Sequence, residues 1–122
     1  MRSLARLLAG SVLLALVACG GNPSSSSSPP WSRSGTGDMV FDMPTSVERV
    51  RIIGTYTGTG SNFIVWIGPA TAFSPGSRLL VNELIGTVYG RTTYDGTLLT
   101  GGGGTTSITH SSGVVWSFTE VR

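Results

Sequence analysis

From Met39 to Val121 apolar and polar positions alternate in short runs, and no stretch repeats apolar residues at helical spacing. Met39 to Met43 reads as a first strand, stopped by Pro44. Arg49 to Thr57 is a second, with Val50, Ile52 and Tyr56 on one face and Arg49, Arg51 and Thr55 on the other. Asn62 to Ile67 is apolar on both faces: Phe63, Val65 and Ile67 lie on one, Ile64 and Trp66 on the other. Such a strand is central, with both sides covered or one side serving as a binding surface. The segment GPATAFSPGS then reads as a loop, with Pro75-Gly76 as its turn.

Arg78 to Ile85 and Thr87 to Tyr94 are the next two strands. Asp95-Gly96 has the residue types of a type I′ hairpin turn, with Thr97 to Thr100 returning. Four glycines, Gly101 to Gly104, predict a loop or an extended bulge. Thr105 to His110 and Val114 to Val121 are expected to form a last hairpin around Ser111-Ser112-Gly113, with Val114, Trp116 and Phe118 on one face. Seven or eight short strands at this spacing predict an all-β fold, a small antiparallel β-sandwich in preference to a barrel. The segments IIGTY (52–56) and LIGTV (84–88) look alike, but are too short to make a repeat.

The first residues follow a different pattern. Arg2 and Arg6 precede an almost unbroken apolar run from Leu7 to Val17. That run is shorter than the roughly 20 apolar residues that span a bilayer as a helix, and suits the core of a secretory signal. It ends in Leu16-Val17-Ala18-Cys19, which resembles the lipobox of bacterial lipoproteins. The resemblance implies cleavage after residue 18 and a lipid on the Cys19 sulfur, hence a signal over 1–18 and an anchor in the membrane. Cys19 is the single cysteine, so no disulfide forms within the chain, and lipidation accounts for an odd thiol in an exported protein. Two or more acyl chains anchor stably at about 0.8 kcal/mol per buried CH₂. Gly20, where the enteric sorting pattern would place aspartate to retain a lipoprotein, implies the outer membrane.

Removing the signal changes the charge. The formal +2 comes from eight arginines against six acids, with no lysine, and Arg2 and Arg6 leave with the signal. The mature chain is balanced. It lacks the basic footprint that nucleic acid requires. Residues 19–37 are dominated by Ser, Gly and Pro without apolar periodicity and read as a flexible tether. Trp31 either docks on the folded part or marks the tether's end, and the second is the expectation. The sandwich domain is then expected over 38–122, enough chain for a core without disulfides.

The stock of chemistry is small. His110 is the single histidine, beside a predicted turn, and no G-x-S-x-G elbow accompanies it. One histidine and one lipidated cysteine cannot supply a zinc site. Asp38 and Asp42 read as the solvated face of a strand more readily than as calcium ligands. Glu83 shares a face with Leu79, Val81 and Ile85, so it calls for an arginine partner, with Arg49, Arg51 and Arg91 as candidates. The expectation is a non-enzyme with no metal or cofactor.

Binding is the stronger option. Trp66, Tyr89 and Tyr56, with Asn62, Asn82 and Arg91, would together make a surface that stacks on sugar rings and hydrogen-bonds their hydroxyls; the residues expected to carry it are Trp66, Tyr89, Asn82 and Arg91. Core packing explains Trp66 and Tyr89 equally well at this level. The segments VFDMPTSVERVRIIGTYTG and THSSGVVWSFTEV are similar to the opening and closing of small jelly-roll modules appended to secreted bacterial hydrolases. This resemblance implies a jelly-roll sandwich and carries no ligand residue with it. The reading is a non-catalytic envelope lipoprotein that binds a glycan or an envelope partner. The alternative is a structural role, with an exposed strand edge pairing with another protein.

Overall fold

The computed structural model of the chain describes residues 28–69 and 76–122. The predicted signal, Cys19 and residues 20–27 of the predicted tether lie outside these residues, as does the middle of the Gly68–Ser77 loop. Eight strands are present: β1 (Ser32–Thr36), β2 (Met39–Met43), β3 (Arg49–Thr55), β4 (Ser61–Gly68), β5 (Arg78–Ile85), β6 (Thr93–Leu99), β7 (Gly104–Thr109) and β8 (Val115–Glu120). They form two antiparallel four-stranded sheets, ordered β1-β8-β3-β6 and β2-β7-β4-β5.

The pairing follows one rule. β4 pairs with β5, β3 with β6, β2 with β7 and β1 with β8, so the chain is a single long antiparallel ribbon. The ribbon folds over itself, and β3–β8 and β4–β7 pairing closes each sheet. This is the jelly-roll arrangement of a β-sandwich. All four connections at one end (37–38, 56–60, 86–92 and 110–114) lie opposite the end at which β1 begins; we call these the distal and proximal ends.

The alternation read from the sequence becomes the core. Val50 and Ile52 of β3, Phe63, Val65 and Ile67 of β4, and Trp116 and Phe118 of β8 all point between the sheets and are buried. Each such side chain contributes about 1.5–3 kcal/mol of transfer free energy. Phe41 of β2 stacks on Trp116 at 5.7 Å between centroids and meets Phe118 edge-on at 5.3 Å. Gly54 leaves room on β3 for the Phe63 ring, which a Cβ there would approach to 2.5 Å.

Six expectations need correction. The domain begins before Asp38: residues 32–36, read as tether, pair with β8 from Ser32↔Thr119 to Thr36↔Val115. Trp31 docks rather than marking an end, with its ring 6.0 Å from Phe41 and its backbone N–H donating to Glu120 Oε1 at 3.0 Å. The burial pattern of β1 is nearly all exposed, so its Ser/Gly composition hid an edge strand. Edge strands need no apolar face when the sheet next to them already has one.

Asp95-Gly96 is not a turn. It lies inside β6, opposite Ile53 and Ile52. Gly96 makes room for the Tyr94 ring, whose hydroxyl would stand 2.2 Å from a Cβ, and Asp95 is held by Arg51 of β3. The reversal comes earlier, at a 3-10 turn over Thr87–Tyr89 ended by Gly90 at φ 70°, in place of the expected strand over 87–94. Nor do 105–110 and 114–121 form a hairpin. β7 and β8 lie in different sheets, and 110–114 crosses between them, with His110 at φ 54°. Finally, a bulge between Val65 and Trp66 pairs Trp66 with Leu79. It turns Leu79 outward and gives its expected inward place to Leu80, which packs on the core.

Candidate binding surfaces

The outer face of the β2-β7-β4-β5 sheet carries Trp66. In antiparallel register Val40, Ser107, Trp66 and Leu79 form one row, and Thr109, Ile64 and Asn82 form the next. Val40, Leu79 and Leu84 are exposed there, while Trp66 and Ile64 are half-buried and Ser107 is buried. Trp66 and Asn82 therefore share a face. The surface around them is mostly aliphatic, from Val40, Ile64, Leu79 and Leu84.

Arg91 and Glu83 stand apart from that face. Glu83 pairs with Phe63 and points to the core side of β5, as its sequence neighbours predicted. Of the three arginines considered, Arg91 is its partner, in an ion pair at the rim where β5 meets β6. This position reads as structural: the pair seals the sandwich edge. Tyr94 packs on Phe63 at 6.0 Å on the same rim. Its hydroxyl is pushed above the usual phenol range, first by burial and then by the carboxylates of Glu83 and Asp95.

Tyr89 lies at the distal end, in the 3-10 turn, and is 49% exposed beside the more exposed Val88. The turn is fastened to the β3–β4 loop by Thr87 N–H donating to Gly58 O and Val88 N–H to Thr59 O, both at 2.9 Å. Gly60 underlies the Tyr89 ring: a Cβ there would stand 2.8 Å from Cε2. Tyr56 sits on the same loop with its ring against Gly58 and Gly113, where Cβ atoms would stand 2.5 Å and 2.9 Å away. Asn62 is half-buried on the outer face of β4, opposite Leu84.

The four residues expected to bind ligand are thus divided. Trp66 and Asn82 are on an outer sheet face, Arg91 is on a rim, and Tyr89 is in a distal loop. Tyr89 and Tyr56 both belong to the distal loops, Tyr89 exposed and Tyr56 half-buried against the core. The glycines at 58, 60 and 113 are the sequence signal for this, since an aromatic ring can lie against main chain only where no Cβ intervenes.

The other candidates occupy structural roles. Asp38 Oδ1 accepts the Ser111 N–H at 2.8 Å, and Ser111 Oγ accepts the Ile64 N–H at 3.1 Å and donates to Thr109 O. This network pins the β7–β8 crossover beside His110, which is exposed. Asp42 accepts from Thr105 Oγ1 on the neighbouring strand. Among the described residues no three His, Cys, Asp or Glu side chains cluster in a way that could hold a metal.

Two clefts open at the proximal end, on either side of the glycine loop. One, of about 270 Å³, lies between Pro69, Arg78 and Gly103; the other, of about 320 Å³, lies between Thr45, Glu48 and Gly102. Neither contains a residue expected to bind. The chain matches no known protein family, no curated protein and no solved structure.

Proposed function

We propose that this protein is a non-catalytic lipoprotein of the bacterial envelope whose jelly-roll sandwich is a binding module, with a glycan as the ligand it fits best. The observation that carries this reading is the polarity of the sandwich. β1 enters at the proximal end, and the distal end presents Val88 and Tyr89 exposed, with Tyr56 half-buried in the β3–β4 loop of the same end. A lipid on Cys19 would put the proximal end toward the membrane. Nine peptide units separate Cys19 from Ser28, a span of at most roughly 30 Å. The carbonyls of Ser28 and Pro29 accept hydrogen bonds from Arg122, so the chain is held to the proximal end before β1 starts. The distal loops then face away from the bilayer.

The test is a binding screen with the detergent-solubilised full chain against insoluble peptidoglycan, neutral and acidic polysaccharides, and membranes stripped of glycan. Retention on a polysaccharide or on peptidoglycan supports the reading. The lipid anchor by itself holds the chain to any membrane, so retention on stripped membranes that is lost when those membranes are first digested with protease, with none on polysaccharide or peptidoglycan, would replace it with assembly on another envelope protein.

A further inference from the structure

Resting on that reading, we propose that the distal end is a site for neutral glycans, in which the rings of Tyr89 and Tyr56 support the apolar faces of pyranose units. Three observations converge on it. The first is support: both rings lie against glycine backbone, Tyr89 at Gly60 and Tyr56 at Gly58 and Gly113; Tyr89 is the exposed ring, and Tyr56 is half-buried with one side packed on the core. A preorganised ring loses little freedom on binding, which is how a shallow site gains affinity.

The second observation is polarity. Thr57, Thr59 and Thr87 are exposed on the loops that flank the tyrosines, and Ser112 is exposed beside Gly113. Hydroxyls both donate and accept, as sugar hydroxyls do. The third is charge. Asp38 is engaged by the Ser111 N–H and Arg91 by Glu83, which leaves His110 as the remaining imidazole or charged side chain of this end. A uronic acid or phosphate would find here only an arginine already paired with a carboxylate and the exposed His110. Protein hot spots, by contrast, centre on aromatic or arginine anchors sunk in desolvated pockets. This end is open, glycine-lined and hydroxylated, which suits a glycan better.

The aliphatic face around Trp66 carries a different expectation. Its indole lies on the outer face of the β2-β7-β4-β5 sheet, away from the distal loops, so Trp66→Ala reports on a separate surface.

The experiment is titration of the detergent-solubilised full chain with N-acetylglucosamine hexamer and cellohexaose, and with oligogalacturonate as the acidic comparator, followed by calorimetry. Tyr89→Ala is expected to weaken binding of at least one neutral oligosaccharide by about tenfold or more, while Tyr89→Phe and Trp66→Ala retain it. Gly60→Ala, which displaces the ring and keeps it, is expected to weaken binding as well. Unchanged thermal unfolding of Tyr89→Ala shows that the loss is local. Binding that survives in Tyr89→Ala and in Tyr56→Ala overturns this site and leaves the binding module standing. Preference for oligogalacturonate overturns the neutral specificity. No binding of any glycan by the folded parent chain overturns both the site and the glycan reading.

Discussion

The indole of Trp116 occupies the space that Gly35 leaves empty: a Cβ on Gly35 would stand 2.7 Å from Cζ2 and 2.9 Å from Cη2. Gly35 and Trp116 are direct partners across β1 and β8, and the indole Nε1 donates to Gly37 O at 2.8 Å. The largest buried side chain is therefore roofed by a strand made of serine, arginine, glycine and threonine. Gly35→Ala is expected to push either the ring or the edge strand, at about 1–3 kcal/mol for overpacking. Urea denaturation of the variant against the parent measures it, and an unchanged midpoint would show that β1 does not bear on the core.

The same contact predicts the effect of trimming. A chain beginning at Asp38 loses the whole β1–β8 ladder, the Trp31–Phe41 contact and the acceptor of the Trp116 N–H. One beginning at Ser28 keeps all three. The shorter chain is expected to melt well below the longer, by several degrees at about 4–8 °C per kcal/mol for a domain of this size. Equal Tm values would return β1 to the status of a tether.

Thr100 organises the glycine loop. Its buried hydroxyl donates to Val47 O at 2.5 Å and accepts the N–H groups of Gly102 and Gly103 at 3.1 and 3.0 Å. Thr100→Val keeps the shape and removes all three bonds, and each buried backbone group left unpaired costs about 1–3 kcal/mol. Thr100→Ser is expected to hold most of the stability. Chemical denaturation of the pair separates the hydroxyl from the methyl group; equal losses would assign the role to packing.

Acid should loosen the two ends of the β1-β8-β3-β6 sheet. Arg51 holds Asp95 with two hydrogen bonds, at 2.9 and 2.7 Å, and this lowers the Asp95 carboxyl below its ordinary range. Glu120 is lowered too, first by the Trp31 N–H and then by Arg122. A carboxyl lowered on folding stabilises the protein above its unfolded pKa, and that stabilisation is lost as pH falls through the folded value. The stability these groups supply is thus complete at neutral pH and declines below the ordinary carboxylate range, from about pH 4 downward. Asp95→Asn is expected to flatten part of that decline. Melting curves between pH 7 and pH 2.5 test it; identical pH profiles would show that the pair adds nothing.

Burial of one face of each central strand is a local property, so much of the architecture was legible in the residues. The alternation in RVRIIGT and SNFIVWIG placed Val50, Ile52, Phe63, Val65 and Ile67 inward, and VVWSFTE placed Trp116 and Phe118 with them. Glu83 announced its need for a cation in the same way. Features set by a neighbour in space were not legible. Asp95-Gly96 has turn residues, yet Arg51 and the Tyr94 ring hold it in a strand. β1 has tether composition, yet pairing with β8 and the Trp116 indole beneath Gly35 order it. Trp66 and Tyr89 could not be separated from core by pattern alone, because an aromatic residue suits a core or a surface until its neighbours are known.

By itself the sequence determined the fold class, the inward faces of the central strands and the resemblance of the first residues to a lipoprotein signal. These depend on side-chain period and composition, which no contact can change. Only the tertiary structure decided which strands share a sheet, where the domain starts, which arginine meets Glu83 and which aromatics stand together. Each of these is a pairing between residues far apart in the chain. Local pattern carries little information about such pairs, because ribbon closure and the Val65–Trp66 bulge choose them together.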